Sequence, residues 1–383
     1  MHITPDIHYI GTFDHTIDLF EAQYPVPEGI SYNSYLILDE RIAVFDTADA
    51  AYVDTWLARL ADALGGRTPD YLIIQHMEPD HSAGIAAFAK KYPEAVIVAS
   101  QKAFAMMAGF FGEDYAARRL VVGEGHTLSL GKHTLHFIAA PMVHWPEVIM
   151  TYDDCDHILF SADGFGRFGD TNEDTPWDDE ARRYYIGIVG KYGAQVSAVL
   201  KKAGNLKIDK ICPLHGPVLT KDLGHYLSLY ATWSSYQPEA AGVVIAYTSI
   251  YGNTRAAVAL LAEELTKSGQ TVRVFDLSRT HFSYAVAEAF RFDKLVLAST
   301  TYNADVFPPM RAYIHGLLER NYAGRTVALI ENGSWAPMAA KVMGGMLASA
   351  KGVTILPPVT LRGGLSDDTR AAICELAQTL AQH

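Results

Sequence analysis

The period of the apolar positions changes along the chain and divides it into two regions. Up to about residue 240, short strand-like runs are spaced by turn signals. SYLILD and IAVFDT flank Glu40 and Arg41 as a predicted hairpin, and LIIQ, VIVAS, HTLHFIAA, VIMTY, HILFSAD and IDKICP follow. Helical periodicity intervenes at 52–64, 82–92, 101–111 and 178–203. A small, polar stretch from Ser234 to Gly242 then leads into the apolar run VVIAYT, which predicts a boundary between domains 1–240 and 241–383.

Beyond that boundary strand and helix alternate regularly. VVIAYT, helix 254–267, VRVFDL, a helix around 283–289, KLVLAST, helix 309–320, TVALIEN, helix 337–350, VTILPP and helix 366–381 predict a doubly wound five-stranded parallel sheet. Ligands of such sheets sit at the carboxyl ends of the strands. There is no internal repeat.

Composition narrows the class. The 383 residues are 49% apolar and 19% charged, an ordinary globular balance with length for two cores. No run approaches the roughly 18 apolar residues of a membrane span. The start MHITPDIHYIGTFDH has neither a basic nor an apolar leader segment, so a cytoplasmic protein without membrane contact is expected. A net charge of −12 without a Lys/Arg cluster argues against nucleic acid. Cys155, Cys212 and Cys374 form no C-x-x-C pair, which excludes a disulfide framework, a cysteine zinc ribbon and a built-in rubredoxin-like iron site. Any metal must therefore be held by nitrogen and oxygen.

Three strand ends of the second region carry candidate ligand contacts. Thr248, Ser249, Ile250, Tyr251, Gly252, Asn253 and Thr254 close a strand and open a helix, where backbone N–H groups and hydroxyls form a phosphate cradle that needs no lysine. The loop has neither the Walker ending nor G-x-G-x-x-G, and it suits a single terminal phosphate. The next ends are Thr300, Thr301, Tyr302 and Asn303, then Asn332, Gly333, Ser334 and Trp335, with Tyr302 and Trp335 placed to stack on a flat ring. Each turn alone is an ordinary strand-to-helix connection. Together, T-S-I-Y-G-N-T, S-T-T-Y-N and N-G-S-W resemble the flavodoxin fold and its FMN site over residues 242–383.

In the first region, His76-Met77-Glu78-Pro79-Asp80-His81 sits between the buried-strand signature Leu72-Ile73-Ile74 and a helix start at Ser82. At spacing two, His76 and Glu78 point the same way, while Asp80 and His81 are offset, so the turn can serve two centres. His144 in APMVHWPE, Asp163 in LFSADGF and His215 in CPLHGP recur at later strand ends. Four histidines and three carboxylates exceed what one ion takes. Two ions sharing one bridging carboxylate use all seven and leave a position open for substrate.

The H-x-E-x-D-H turn followed by His, Asp and His resembles the metallo-β-lactamase fold, an αββα sandwich. The zinc hydrolases of that fold carry histidine where this chain has Glu78, and a carboxylate there favours a harder ion, iron over zinc. Such a domain followed directly by a flavodoxin-like one resembles the flavodiiron proteins across essentially the whole chain. The resemblance implies a non-heme diiron centre and FMN, and reduction of O2 to water, of NO to N2O, or both. It places His76, Glu78 and His144 on one iron, Asp80, His81 and His215 on the other, and Asp163 between them. Two ferrous ions and a reduced flavin hold the four electrons that O2 requires, delivered by a rubredoxin-like or other small donor. The resemblance further implies a head-to-tail homodimer, or a dimer of dimers, in which one subunit's FMN faces the other's metals. Ending at His383 without a rubredoxin-like or flavin-reductase extension, the chain is expected to be of the minimal two-domain class.

Further candidates surround the centre. Trp145 and Pro146 follow His144 and are expected to shape the pocket wall. Tyr24 and Tyr185 are candidate hydrogen-bond donors toward the open metal positions, and Asp46 a brace for the metal loop. Two competing functions are weighed. One is a binuclear zinc hydrolase with a flavodoxin-like appendage, disfavoured by Glu78 and the complete FMN loops. The other is an electron-transfer module on a structural platform, which would have no use for seven ligands.

Overall fold

The computed structural model describes residues 2–382. By contacts they form two compact units, one of the residues up to Tyr185 with Ala194–Ala231, the other of Ile186–Gly193 with the residues from Thr232 onward. The second unit begins ahead of the strand that opens its sheet because the polar stretch is pinned. The Tyr236 hydroxyl donates to Gly190 O at 3.0 Å and accepts from Gly193 N at 3.2 Å, and Arg325 donates to the Tyr236 carbonyl.

The first unit is two sheets face to face. One runs in the order Ile7–Tyr9, Tyr35–Ile37, Ala43–Phe45, Tyr71–Ile74, Val96–Ala99, Arg119–Val121, antiparallel for the first two pairings and parallel for the last three. The other runs Thr127–Ser129, Thr134–Ala139, Ile149–Asp153, Ile158–Phe160, Lys210–Cys212, with only the last pair parallel. Their inner faces meet at Phe45 and Phe160, whose rings stack 4.2 Å apart. Ile37, Ile73 and Val98 from one sheet and Phe137, Ile149 and Ile158 from the other complete a dry core. The helix Val53–Leu64 buries Trp56, Leu60 and Leu64 on one stripe, as its apolar period requires.

The predicted hairpin forms with Tyr35 opposite Phe45. Two predicted helices divide. Residues 82–92 become Pro79–Ser82 and Ile85–Lys91, parted at Gly84, where a Cβ would lie 2.8 Å from Thr47 Cβ. Residues 178–203 become Asp178–Tyr184 and Gly193–Ala203, joined by the wider turn Tyr185–Val189 and the tighter turn Gly190–Tyr192. Glycines at 187, 190 and 193 weaken helix propagation there. Very short N-terminal strands, including Leu19–Phe20 and Tyr24–Pro25, and the helix Leu223–Ser234 are additions to the sequence reading.

The second unit is the doubly wound sheet, ordered Val272–Asp276, Ala240–Tyr247, Phe292–Tyr302, Thr326–Asn332, then the fifth strand. All these pairings are parallel, the 2-1-3-4-5 order of flavodoxin-like sheets. The fifth strand is split into Thr354–Ile355 and Val359–Leu361, because Pro357 and Pro358 between them have no N–H to donate. Phe292–Tyr302 turns back through Asn303 (φ 50°) and Ala304 (φ 58°) into Asp305–Val306. Among the described residues no helix is long and apolar enough to cross a membrane.

One buried cation ties the N-terminus to the first unit. His133 is fully buried, with Nδ1 3.1 Å from Asp153 Oδ1 and Nε2 3.4 Å from Asp6 Oδ2. Burial opposes its charge, but the two carboxylates hold its pKa above the ordinary 6.5. Its stabilising contribution is therefore complete below pH 6.5 and is lost as pH rises through the elevated value. Melting curves should show the wild type losing more Tm between pH 6 and pH 9 than His133→Gln; equal slopes would refute the clamp.

Candidate metal centre

The seven predicted ligands lie at one end of the first unit, each on a loop leaving a strand. His76 follows Tyr71–Ile74, and the helical turn Pro79–Ser82 raises Asp80 and His81 from the same loop. His144 follows Thr134–Ala139, Asp163 follows Ile158–Phe160 and His215 follows Lys210–Cys212. All seven are nine-tenths buried or more.

They form two groups. His76, Glu78, His144 and Asp163 offer ligand atoms within 4.8 Å of one another, as do Asp80, His81 and His215. In the first, Glu78 Oε2 is 3.3 Å from His76 Nε2 and 3.0 Å from His144 Nε2. In the second, His81 Nε2 is 3.0 Å from His215 Nε2 and 3.3 Å from Asp80 Oδ2. Asp163 joins them. Its Oδ2 faces His144 (3.0 Å) and His76 (3.5 Å), while its Oδ1 faces His81 (3.4 Å) and His215 (3.9 Å).

This arrangement fits two cations. Both oxygens of Asp80 and both of Asp163 are buried yet meet no donor at hydrogen-bonding geometry. Buried carboxylates in that state are severely destabilising without a compensating charge. Imidazole nitrogens also face one another at 3.0 and 3.2 Å, a spacing that suits lone pairs converging on a shared ion. The field favours positive charge throughout. Burial lowers the His144 pKa, but Asp163 and Glu78 outweigh it and lift it to about 9. Asp163 is raised by burial and pulled further down by His76, His144 and His81, to well below the usual carboxylate value. All seven donors are nitrogen or oxygen, and one carboxylate has an oxygen for each group.

A second ring of contacts fixes these side chains. Glu147 Oε1 accepts from His76 Nδ1 and from Met77 N, both at 2.9 Å, so His76 presents Nε2 to the centre. His215 Nδ1 donates to Ser31 O at 2.6 Å. The His81 carbonyl accepts from Thr47 N and Thr47 Oγ1, each at 2.7 Å. Asp46 accepts from Gln75 N (2.8 Å), His76 N (3.2 Å) and Gln75 Nε2 (3.1 Å), and so braces the loop as expected. Glu147 and Ser31 are contacts the sequence reading lacked. In HWPE, Glu147 follows closely on His144, yet it serves His76 instead.

The aromatic neighbours differ in part from expectation. Trp145 lies edge-on to His76, ring centroids 5.3 Å apart, as a pocket wall. Tyr185 packs against Tyr230 at 5.0 Å, and Tyr24 against Phe168 at 5.8 Å. Tyr184 faces the centre. Its hydroxyl is buried without a partner and its ring is 5.4 Å from that of His215. Burial, then the charges of Asp163, Glu78 and Asp80, raise its pKa well above 10, so it remains a hydrogen-bond donor. Adjacent residues of one helix point about 100° apart, and the doublet Tyr184-Tyr185 alone does not reveal which turns inward.

Glu21 is also new. The residue as a whole is exposed, but burial of its carboxyl end, with the charge of Glu78, pushes its pKa up to about 7. It opens the three-residue turn 21–23, in which Glu21 and Ala22 both have positive φ, 49° and 54°. A third grouping, His133 with Asp153 and Asp156, belongs to the structural clamp described above.

In the second unit the predicted flavin loops converge at the strand tips. Thr248 Oγ1 is 3.0 Å from Ser299 Oγ, and Thr254 Oγ1 is 3.3 Å from Thr300 Oγ1, joining the first two loops. Ser249 Oγ accepts from Gly252 N, and Gly252 (φ 92°) turns the chain into the helix Asn253–Lys267. Thr301 Oγ1 accepts from Met338 N and Ala339 N. Asn332 spends its amide on the backbone of Gly363 and so pins the next loop. Gly333 has no room for a side chain, since a Cβ would lie 2.7 Å from Pro337 Cα. Asn303 forms the adjoining hairpin turn and Ser334 is exposed. Tyr251 and Trp335 are 93% and 88% exposed, with Tyr302 and Ile250 also outside. Large apolar side chains held in water on neighbouring loops suit a planar aromatic ligand.

Comparison with known proteins agrees with both halves. Residues 30–216 match the ODP family beta lactamase model. The chain is 30% identical over 370 residues to a nitric oxide reductase of Moorella thermoacetica, covering 93% of this chain and 91% of that one. Its structure is similar to the rubredoxin:oxygen oxidoreductase of the anaerobe Desulfovibrio gigas, with TM-score 0.93, 26% identity and coverage of 100% and 98%. It is also similar to a flavodiiron protein of Giardia intestinalis, with TM-score 0.92, 25% identity and coverage of 99% and 95%.

Two losses of affinity are expected. Glu147→Gln should weaken metal binding about 10- to 100-fold in a chelator competition while leaving the melting curve nearly unchanged. Trp335→Ala should raise the dissociation constant for FMN, read by quenching of flavin fluorescence, about tenfold.

Proposed function

The chain belongs to the flavodiiron protein family, and we propose that it reduces O2 to water, NO to N2O, or both, at a diiron centre supplied with electrons by FMN. The observation that carries this reading is Asp163, each of whose oxygens faces a different group of imidazoles in a buried cleft. In this reading His76, Glu78 and His144 would hold one iron and Asp80, His81 and His215 the other, with Asp163 offering an oxygen to each group. Residues 1–240 serve as the metal domain and 241–383 as the flavin domain.

When bound, the iron pair supplies open coordination positions and electrons for a small diatomic, and FMN stores electrons that arrive singly. The protein's part is orientation, dryness and protons. Glu147, Ser31 and Asp46 fix the angles of His76 and His215 so that their Nε2 lone pairs converge. The unpartnered Tyr184 hydroxyl is available to donate to an oxygen of substrate or product. Both gas reductions consume protons, and the Glu21 carboxyl, beside Glu78, is positioned to hold one. Thr248, Ser249 and Thr254, with backbone N–H groups of the same loop, would cradle the FMN phosphate, while Thr300 lies against Thr254 and Thr301 holds the turn at Met338. Tyr251, Tyr302 and Trp335 would flank the ring system.

The exposure of Tyr251 and Trp335 supports a flavin reachable from outside its own unit. We therefore assign a rubredoxin-like or other small one-electron donor, and a head-to-tail homodimer, or a dimer of dimers, in which one copy's flavin serves another's irons. A cytoplasmic setting follows from the same reading. The binuclear zinc hydrolase is not favoured, since relatives across nearly the whole chain are named as nitric oxide and oxygen reductases.

Purified protein should be yellow and carry about one FMN and about two irons per chain. Reduced anaerobically through a rubredoxin and its reductase, it should consume O2, NO or both. Two zincs without flavin, or silence toward both gases with iron present, would defeat the proposal.

A further inference from the structure

One cation lies beside the metal cleft without belonging to the ligand set. Arg183 is 2% exposed, on the helix Asp178–Tyr184 that also carries Tyr184. Its guanidinium makes contacts of several kinds. Nε donates to both oxygens of Glu180, at 3.2 and 3.1 Å, which compensates its charge. One Nη donates to Pro25 O at 2.9 Å. Its central carbon lies over the ring of Phe168, 4.4 Å from the centroid.

These contacts reach both walls of the cleft. Pro25 closes the hairpin Leu19–Phe20/Tyr24–Pro25, which puts Phe20 5.3 Å edge-on to His215 and carries Glu21 at its tip. Phe168 in turn packs against Phe20 (5.7 Å), Tyr24 (5.8 Å) and Tyr184 (5.2 Å). The hairpin itself is short. Its paired strands are two residues each, and its turn places two non-glycine residues at positive φ, a conformation disfavoured without outside support.

We propose that Arg183 is a positioning residue that clamps the hairpin 19–25 and the Phe168 ring together, keeping the face over His215 dry and aromatic so that neutral diatomic gases enter in preference to small anions. The selectivity follows from solvation. A hydrated anion must shed its water against an apolar wall, whereas O2 and NO have almost none to shed. Arginine is required because one planar group must stack on a ring and donate in its own plane to a carboxylate and a carbonyl.

This rests on the proposed diiron reading, so the test includes measurements that need no turnover. In the full iron- and flavin-loaded protein, azide is titrated into the oxidised centre and hydrogen exchange is followed in the segment 19–25. Arg183→Met should bind azide about tenfold more tightly and exchange those amides faster, with iron content unchanged and the KM for the gas raised. Arg183→Lys, which keeps the charge but loses the planar fork, should shift the same way. If Arg183→Met does not accumulate as folded protein, Arg183→Lys and Phe168→Leu are read instead. Unchanged azide affinity and exchange in the folded variants overturn the proposal, as does loss of iron together with weaker azide binding, which marks a merely structural role. A wild type that binds azide with these differences yet reduces neither gas refutes the proposed function and leaves the clamp standing.

Discussion

Negative charge buried in a cleft is the constraint around which the first unit is organised. Asp80 and Asp163 are buried with no hydrogen-bond donor on any of their four oxygens, and Glu78 stands beside them. A fold stabilised by a margin of about 5–15 kcal/mol cannot carry such groups bare. The compensation comes from what the imidazoles face: a proton where no ion is bound, a divalent cation where one is. The two sheets, the braced loops and the aromatic wall hold those side chains at the distances that make the second option available.

The second unit solves a different problem. Its ligand is large, flat and half polar, and needs no deep burial. Hydroxyls and backbone N–H groups at strand tips suit a phosphate, while Tyr251 and Trp335 stay in water as ring partners. One unit thus hides charge and the other displays apolar surface, and each is costly unless its own ligand is bound.

How much of this was legible in the sequence depended on the range of the interaction. Strand-helix alternation after residue 240 is a local signal, and the 2-1-3-4-5 sheet followed it closely. The ligand turn His76 to His81 was equally plain, since its residues sit together in the chain. The hairpin 19–25 was not, because strands of two residues leave no period to read and their support, Arg183, lies far along the chain. Glu147 was hidden by proximity: it neighbours His144 but bonds His76. Tyr184 was hidden by its twin. The helix predicted over 178–203 failed at glycines whose cost the apolar period alone did not register. The split fifth strand shows proline overriding an otherwise clear strand pattern.

The donor set of the seven ligands has a bearing on metal identity. Imidazole and carboxylate donors 3.0 to 3.9 Å apart form a chelator that is competent toward most divalent ions of the first transition row. Intrinsic affinity in that row rises from manganese and iron toward copper, so thermodynamics alone would hand the cleft to the wrong metal. Iron occupancy therefore depends on which ions are free in the compartment while the chain folds. The deep burial that protects the loaded centre also slows any later exchange, so an early mismetallation would persist as a folded, flavin-bearing and silent protein.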